Sequence, residues 1–103
     1  LLFAVVTQMN SRIHLCAFVA VTIAGVWLRV SALEWCVLLL ASGLVLAAEC
    51  FNTAAEEIVN MVSPEWNDKA GRIKDLAAAG VLIAAIFAAA AGLVIFLPKT
   101  LTF

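Results

Sequence analysis

The sequence predicts an all-α, polytopic membrane protein with three transmembrane helices plus an amphipathic surface helix. Of its 103 residues, 66% are hydrophobic and the mean hydropathy is +1.15, whereas soluble domains are only about half apolar. Three apolar segments, at about residues 13–28, 35–48 and 76–97, provide the candidate membrane helices. We expect residues 1–103 to form a single domain. The net charge of −1 provides no basic excess, so a nucleic-acid partner is not expected.

The first helix is expected to begin near Asn10 and to end before a tight connection at residues 29–34. Residues 1–7 are apolar, and we interpret them as the end of the surface helix, part of which is missing from the chain. The second helix should continue past its apolar part through "ECFNTAAEEIVNMV", because no helix breaker occurs before Ser63-Pro64.

The third helix is long enough to cross a bilayer by itself, since a span needs roughly 20 apolar residues. It carries small residues at steps of four, namely Gly80, Ala84, Ala88 and Gly92. In lipid, such a row lets helix backbones approach and gain van der Waals contact. The row predicts close packing within one chain or between copies.

The segment between the second and third helices contains helix-start signals and most of the basic residues. Ser63 is expected to cap a short amphipathic helix with Pro64 at its first position, and a second start is expected near Gly71. Lys69, Arg72 and Lys74 make this the most basic loop. The positive-inside rule therefore predicts that it lies on the cytoplasmic side of the plasma membrane.

Nine of the thirteen charged residues lie between Glu49 and Asp75. At 100° per residue, four polar side chains of the second helix fall within a wedge of roughly 80°, and Thr53 lies beside them; the four are Glu49, Asn52, Glu56 and Asn60. Ionisable groups at membrane depth are costly unless they face protein, water or a cation. The row therefore predicts a functional site.

The chemistry of these residue types suggests phosphoryl transfer. Glu56 and its neighbour Asn52 offer the oxygen ligands that Mg²⁺ prefers. Glu49 lies deeper and could take a proton from a hydroxyl that arrives from the lipid. Arg72 and Lys74 would meet phosphate oxygens, so positioning and charge neutralisation would supply most of the catalysis.

Three other interpretations remain open at this point. The polar row could be a solvated helix end that simply leaves the bilayer. A small oligomeric transporter or channel would use Glu49 and Glu56 as an ion or proton relay, and it predicts flux without ATP. The third interpretation is a catalytically impaired homologue of a kinase with a purely structural role in the membrane, and it predicts neither nucleotide binding nor flux.

Three motifs resemble one family. The strings "ExxNTAxEExV", "SPEWNxKAGRIKDLAAAGVLI" and "NSRIHL" are similar to those of the small prokaryotic diacylglycerol kinases, which include undecaprenol kinases. The resemblance extends over about residues 1–97. It implies a homotrimer with active sites between subunits, ATP as co-substrate, Mg²⁺ as cofactor, and phosphorylation of a lipid alcohol at the cytoplasmic face.

The resemblance also implies roles for individual residues. Glu49 matches the catalytic base and Glu56 a metal-binding glutamate, while Gln8 stands where a second metal-binding glutamate is expected. Further residues match the family's nucleotide contacts and its lipid-substrate contacts. The nucleotide contacts are Asn52, Glu56, Glu65, Trp66, Asn67, Lys74 and Asp75, and the lipid-substrate contacts are Asn10, Arg12, His14, Glu49 and Ala78.

Two departures from the family pattern bear on activity. Gln8 gives less charge to Mg²⁺ than a carboxylate would, and Asn60 replaces an expected aspartate. The acceptor is either diacylglycerol or undecaprenol, and the "NTAxEE" and "RIH" strings favour the undecaprenol type.

Overall fold

The structure is a computed structural model that describes the backbone of residues 9–102 and the side chains of residues 12–101. Within that part of the chain it consists of three α-helices: α1 (Met9–Trp27), α2 (Ala32–Val62) and α3 (Asp68–Thr102). The all-α prediction is confirmed. The expected surface helix at residues 1–7 lies outside the described residues.

Two of these helices are long and apolar enough to cross a membrane. They are α2 and α3, while the apolar part of α1, Arg12–Trp27, is shorter. The molecule measures 54 × 23 × 18 Å, so its long axis exceeds the roughly 30 Å hydrocarbon thickness of a bilayer. Membrane spans are thereby supported for two of the three predicted helices.

The connection between α1 and α2 is shorter than predicted, because local hydrogen bonds end one helix and start the next at once. Arg29 adopts a left-handed conformation (φ 55°). The Val30 N–H donates to the Gly25 carbonyl, and the Arg29 N–H donates to that of Val26. This is the Schellman arrangement, in which glycine usually occupies the position of Arg29.

Ser31 then caps α2. Its Oγ accepts from the Glu34 backbone N–H at 3.1 Å, and Glu34 Oε1 accepts from the Ser31 N–H at 2.9 Å. This reciprocal capping box satisfies two donors at the helix start. Helix α2 consequently begins at Ala32, inside the predicted connection of residues 29–34.

The predicted helix start at Ser63 is wrong. The Ser63 N–H donates to the Val59 carbonyl, so Ser63 closes α2 and does not open a new helix. The cap of α3 is Asn67, whose Oδ1 accepts from the Ala70 N–H at 2.9 Å. Asparagine is among the strongest N-cap residues, and α3 therefore starts once, at Asp68, without a separate amphipathic helix or a second start near Gly71.

Helix α3 also ends later than predicted. The apolar segment was expected to stop at about Leu97. The helix instead includes Pro98 and continues to Thr102. The Thr100 hydroxyl donates to the Leu97 carbonyl at 2.9 Å, which supplies this carbonyl with a partner near the helix end.

Two polar contacts define the antiparallel register of α2 and α3. Lys74 Nζ donates to Asn60 Oδ1 at 2.7 Å near one end, and Lys99 Nζ lies 2.9 Å from Glu34 Oε1 near the other. These contacts are 26 residues apart on α2 (34 to 60) and 25 apart on α3 (74 to 99). The helices therefore run side by side over nearly the whole length of α2.

The apolar core lies at the Ser31 end of this helix pair. Val30, Leu38 and Ile95 are buried together there, with Trp35 packed against them. Trp35 also lies close to Gly25 of α1 and is half-buried.

The row of small residues on α3 is only partly used in this structure. Ala84 is buried, but a Cβ added at Gly80 or Gly92 would meet no heavy atom within 4 Å. Close packing within the chain is therefore confined to the middle of the row.

Candidate functional site

The polar face of α2, defined here as Glu49, Asn52, Thr53, Glu56 and Asn60, is turned largely toward the protein interior. Glu49 is 3% exposed and Thr53 is 7% exposed. Asn52 and Glu56 are half-buried, and Asn60 contacts α3. By contrast Glu57, one residue beyond Glu56, is exposed. A solvated helix end would not bury its first acid so completely, so that interpretation is disfavoured.

The distance of Glu49 from the start of α2 is close to the hydrocarbon thickness of a bilayer. Glu49 follows the start of α2 at Ala32 by 17 residues, a rise of about 26 Å against a hydrocarbon core of roughly 30 Å. The rest of α2, through Val62, extends about 20 Å further. The polar face thus begins about one hydrocarbon thickness from the start of α2 and continues beyond it.

Glu49 is in contact with a histidine from another helix. His14 Nδ1 of α1 lies 2.6 Å from Glu49 Oε1, and the two side chains are 23% and 4% exposed. The contact has the length of an ion pair or hydrogen bond, without the alignment of a regular hydrogen bond. It joins α1 to the buried end of the polar face.

A cation from α3 reaches the opposite end of the same face. Lys74 Nζ donates to Asn60 Oδ1 at 2.7 Å. Lys74 is half-buried, whereas the neighbouring bases Lys69 and Arg72 are exposed. One positive charge is therefore held beside the polar face by packing.

The residues between these ends fit a hard divalent cation. Asn52 Oδ1 is buried, and among the described residues it has no hydrogen-bond partner, a condition that costs about 1–3 kcal/mol unless a ligand satisfies the oxygen. Glu56 follows one helical turn later. The described residues contain no group of three His, Cys, Asp or Glu side chains arranged for a metal. Mg²⁺ does not need one, because it is usually bound by one or two carboxylates together with substrate phosphates.

One groove borders His14, the partner of Glu49, and another borders the polar face itself. The first, of about 460 Å³, lies between all three helices and is apolar except where His14 and Ser42 border it. The second, of about 580 Å³, lies between α2 and α3 and has Asn52 on its wall. Each groove therefore brings an apolar surface up to a polar group of the site.

The other predicted site residues are more exposed. The connection at residues 63–67 presents three of the predicted nucleotide contacts to solvent, and Asp75, Ala78 and Arg12 are exposed on their helices; the three are Glu65, Trp66 and Asn67. The structure does not bring this group together with Glu49. The side chain of Asn10 and the whole of Gln8 lie outside the described residues.

Sequence reasoning missed one feature of the site, the contact between His14 and Glu49. It placed Thr53 beside the polar row, and Thr53 is buried there. The histidine pairing depends on how α1 packs and had no comparable signal.

Comparison with known proteins gives three informative relatives. The undecaprenol kinase of Bacillus subtilis is 36% identical over 93 residues, which are 90% of this chain and 76% of that protein. The diacylglycerol kinase of a Synechocystis species is 41% identical over 101 residues, 97% of this chain and 58% of that protein. The diacylglycerol kinase of Escherichia coli K12 is 40% identical over 73 residues, 68% and 60% respectively. The chain thus spans about three-fifths of the length of these two diacylglycerol kinases.

This chain is therefore of the lipid kinase class, as its helices, its polar face and these similarities indicate. Residues 1–96, nearly the whole chain, match the model of the family described as prokaryotic diacylglycerol kinase. The chain belongs to the prokaryotic diacylglycerol kinase family.

Proposed function

We propose that this chain transfers the γ-phosphoryl group of ATP to the hydroxyl of a membrane lipid, in a reaction that requires Mg²⁺. The observation that carries the proposal is the burial of Glu49, which is 3% exposed at the point where the apolar part of α2 ends. An ionisable group at this depth is a functional-site hypothesis by default. Membership of a lipid kinase family gives that hypothesis its chemistry.

Glu49 would act as the general base. A lipid hydroxyl at the boundary of the hydrocarbon lies at the depth of the Glu49 carboxylate, and general bases act within hydrogen-bond reach of the proton they take. The groove beside His14 offers an apolar surface that leads toward this position.

Asn52 and Glu56 would hold the metal ion. The buried, unpartnered Oδ1 of Asn52 and the half-buried carboxylate of Glu56 are hard oxygen ligands on consecutive turns of one face. When bound, Mg²⁺ supplies charge neutralisation for the phosphates. The contribution of the chain is to fix these two oxygens on a rigid helix beside the general base.

Lys74 would meet the nucleotide phosphates, with Asp75 and the connection at residues 63–67 nearby. Its partner in the structure is the neutral amide of Asn60, so no carboxylate at that contact cancels its charge. A lysine held beside the metal-binding oxygens suits a triphosphate, since lysine binds phosphate as a point charge.

The acceptor is diacylglycerol or undecaprenol. The relatives bear both names, and an apolar groove discriminates poorly between hydrocarbon chains. We propose the undecaprenol type on the "NTAxEE" and "RIH" strings.

We further propose a homotrimer in a bacterial plasma membrane, with the site on the cytoplasmic side. Within the described part of the chain, large apolar side chains are exposed along all three helices, for example Trp27, Phe51 and Phe87. Lipid or neighbouring subunits would cover them. The basic segment beside the polar face supports a cytoplasmic orientation.

The test is ATP consumption by the purified protein, measured with each lipid alcohol and without lipid. Activity should require Mg²⁺ and an acceptor. Glu49→Gln should lower kcat by about 10²- to 10⁴-fold while leaving nucleotide binding intact, whereas Glu57→Gln, at an exposed position on the same helix, should change little. Full activity of the Glu49→Gln protein would reject Glu49 as the base, and ATP-independent ion flux through vesicles would favour a channel.

A further inference from the structure

We propose that His14 is the positioning residue for Glu49: it holds Oε1, so that Oε2 faces the acceptor hydroxyl. The inference rests on the proposed function where it names Glu49 as the base. The pairing of the two side chains stands on one distance, 2.6 Å from His14 Nδ1 to Glu49 Oε1, at which the N–H is not aligned as in a regular hydrogen bond.

The two side chains are placed as such a pair requires. Glu49 is 4% exposed as a side chain, so it is shielded from bulk water that could orient its carboxylate. His14 is 23% exposed and comes from α1, a different helix. The imidazole of α1 thus restrains the carboxylate of Glu49, while the backbone of α2 fixes the Cα atom of the same residue.

Fixing one oxygen matters because a glutamate side chain has several rotatable bonds. A base must come within about 2.6–3.2 Å of the proton it removes, and a misplacement of 1 Å can cost about 10²-fold in rate. A carboxylate held through Oε1 presents Oε2 in a defined direction. A hydrogen bond from Nδ1–H to Oε1 would leave Nε2 as an acceptor, since the bond made by one ring nitrogen sets the protonation of the other.

The step then proceeds without any change at His14. The acceptor O–H bond breaks and its proton passes to Glu49 Oε2. The acceptor oxygen forms a bond to the γ-phosphorus, while the bond between that phosphorus and the bridging oxygen of ADP breaks. Nδ1–H remains on His14 throughout, so the residue orients the base and is not consumed.

This role differs from the lipid-substrate contact that the family resemblance assigns to His14. A substrate contact that is equally strong in the ground and transition states affects KM, whereas a positioning residue affects kcat. His14 borders the 460 Å³ groove between the three helices, so both roles are sterically available, and kinetics distinguish them.

The kinetic test uses three substitutions at one position. His14→Ala should lower kcat by about 10²-fold and leave the KM for the lipid alcohol unchanged. His14→Asn places an amide N–H near the position of Nδ1 and should recover part of kcat, while His14→Gln places it near Nε2 and should not. A raised lipid KM with unchanged kcat in the alanine variant, or better rescue by glutamine than by asparagine, would overturn the positioning role.

A spectroscopic test follows the pairing without any turnover. His14 is the single histidine in the sequence, so ¹⁵N labelling of histidine gives signals from this ring alone. Glu49→Gln should shift the Nδ1 resonance, and Glu57→Gln, at an exposed carboxylate on the same helix, should leave it in place. An unchanged spectrum in the Glu49→Gln protein would overturn the pairing.

The two tests separate this inference from the proposed function. An active kinase whose Glu49→Gln variant is inactive, but whose His14→Ala variant keeps full kcat, would overturn the positioning role and leave the function standing. A protein that phosphorylates no lipid alcohol would overturn the function, and the positioning role with it, whatever the histidine spectrum shows.

Discussion

Lys74 of α3 donates a hydrogen bond from Nζ to Oδ1 of Asn60 on α2, at 2.7 Å. This contact lies near the end of the helix pair that also contains the connection at residues 63–67, and it brings a cation to the polar face of α2. An aspartate at position 60 would neutralise that cation, whereas the amide orients it and leaves its charge for an anion.

Removal of the Lys74 charge should weaken nucleotide binding selectively. Lys74→Met is expected to raise the KM for ATP by about tenfold or more, because hydrogen bonds to charged groups contribute about 1.5–3 kcal/mol. Lys69→Met removes an exposed charge from the same helix and serves as the control. Equal ATP affinities in the two variants, measured by equilibrium binding, would contradict the assignment of Lys74.

Loss of the Glu56 carboxylate should raise the metal requirement. Glu56→Gln is expected to increase the Mg²⁺ concentration for half-maximal activity by about tenfold, since metal affinity depends on the charge of the ligands. Binding of Mn²⁺, followed by electron paramagnetic resonance in the presence of nucleotide, gives a readout independent of turnover. Glu57→Gln is the matched control, and a metal requirement that is the same in both variants would exclude Glu56 as a ligand.

A carboxylate at position 8 should restore the family pattern. Gln8→Glu is expected to lower the half-saturating Mg²⁺ concentration by about tenfold, because an anionic oxygen replaces a neutral one. Gln8→Asn, which keeps the amide, is the control. If the Gln8→Glu protein titrates with Mg²⁺ like its parent, the amide does not limit metal binding.

The packing of α1 on α2 should be sensitive to Gly25. A Cβ at this position would lie 2.6 Å from Trp35 Cη2, and Trp35 packs beside the buried Val30, Leu38 and Ile95. Gly25→Ala is therefore expected to destabilise the protein by about 1–3 kcal/mol.

The control for this substitution is Gly43→Ala. No heavy atom lies within 4 Å of a Cβ at Gly43, so the higher helix propensity of alanine should stabilise the protein by up to about 1 kcal/mol. Thermal unfolding in detergent measures both changes. Equal unfolding temperatures would show that Trp35 does not pack tightly on α1.

Features that depend on local periodicity were predictable from the sequence. The polar face of α2 follows from helical geometry alone, and its inward orientation follows from the cost of exposing acids to hydrocarbon. The continuation of α2 to Val62 was also predictable, because no helix-breaking residue occurs before Ser63.

Features that depend on competition between neighbours were not predictable. Both Ser63 and Asn67 are residue types that cap helix starts well. Because the Ser63 N–H donates to the Val59 carbonyl, Ser63 ends α2, and Asn67 is left to cap α3. The capping box of Ser31 and Glu34, by contrast, has a recognisable spacing in the sequence. The contact between His14 and Glu49 depends on the packing of two helices and has no local signature.

With Glu49 as the proposed base, its depth determines how much of a lipid must move during catalysis. Its carboxylate, about 26 Å of helix from the start of α2, would meet the leaflet at the level of the headgroups, so an acceptor can present its hydroxyl with its hydrocarbon still among neighbouring lipids. Extraction into water would cost about 0.8 kcal/mol for each methylene, on the order of 12 kcal/mol for one sixteen-carbon tail. A site at this level avoids that free-energy cost. The phosphorylated product would already lie at the membrane surface, where its charge is stable.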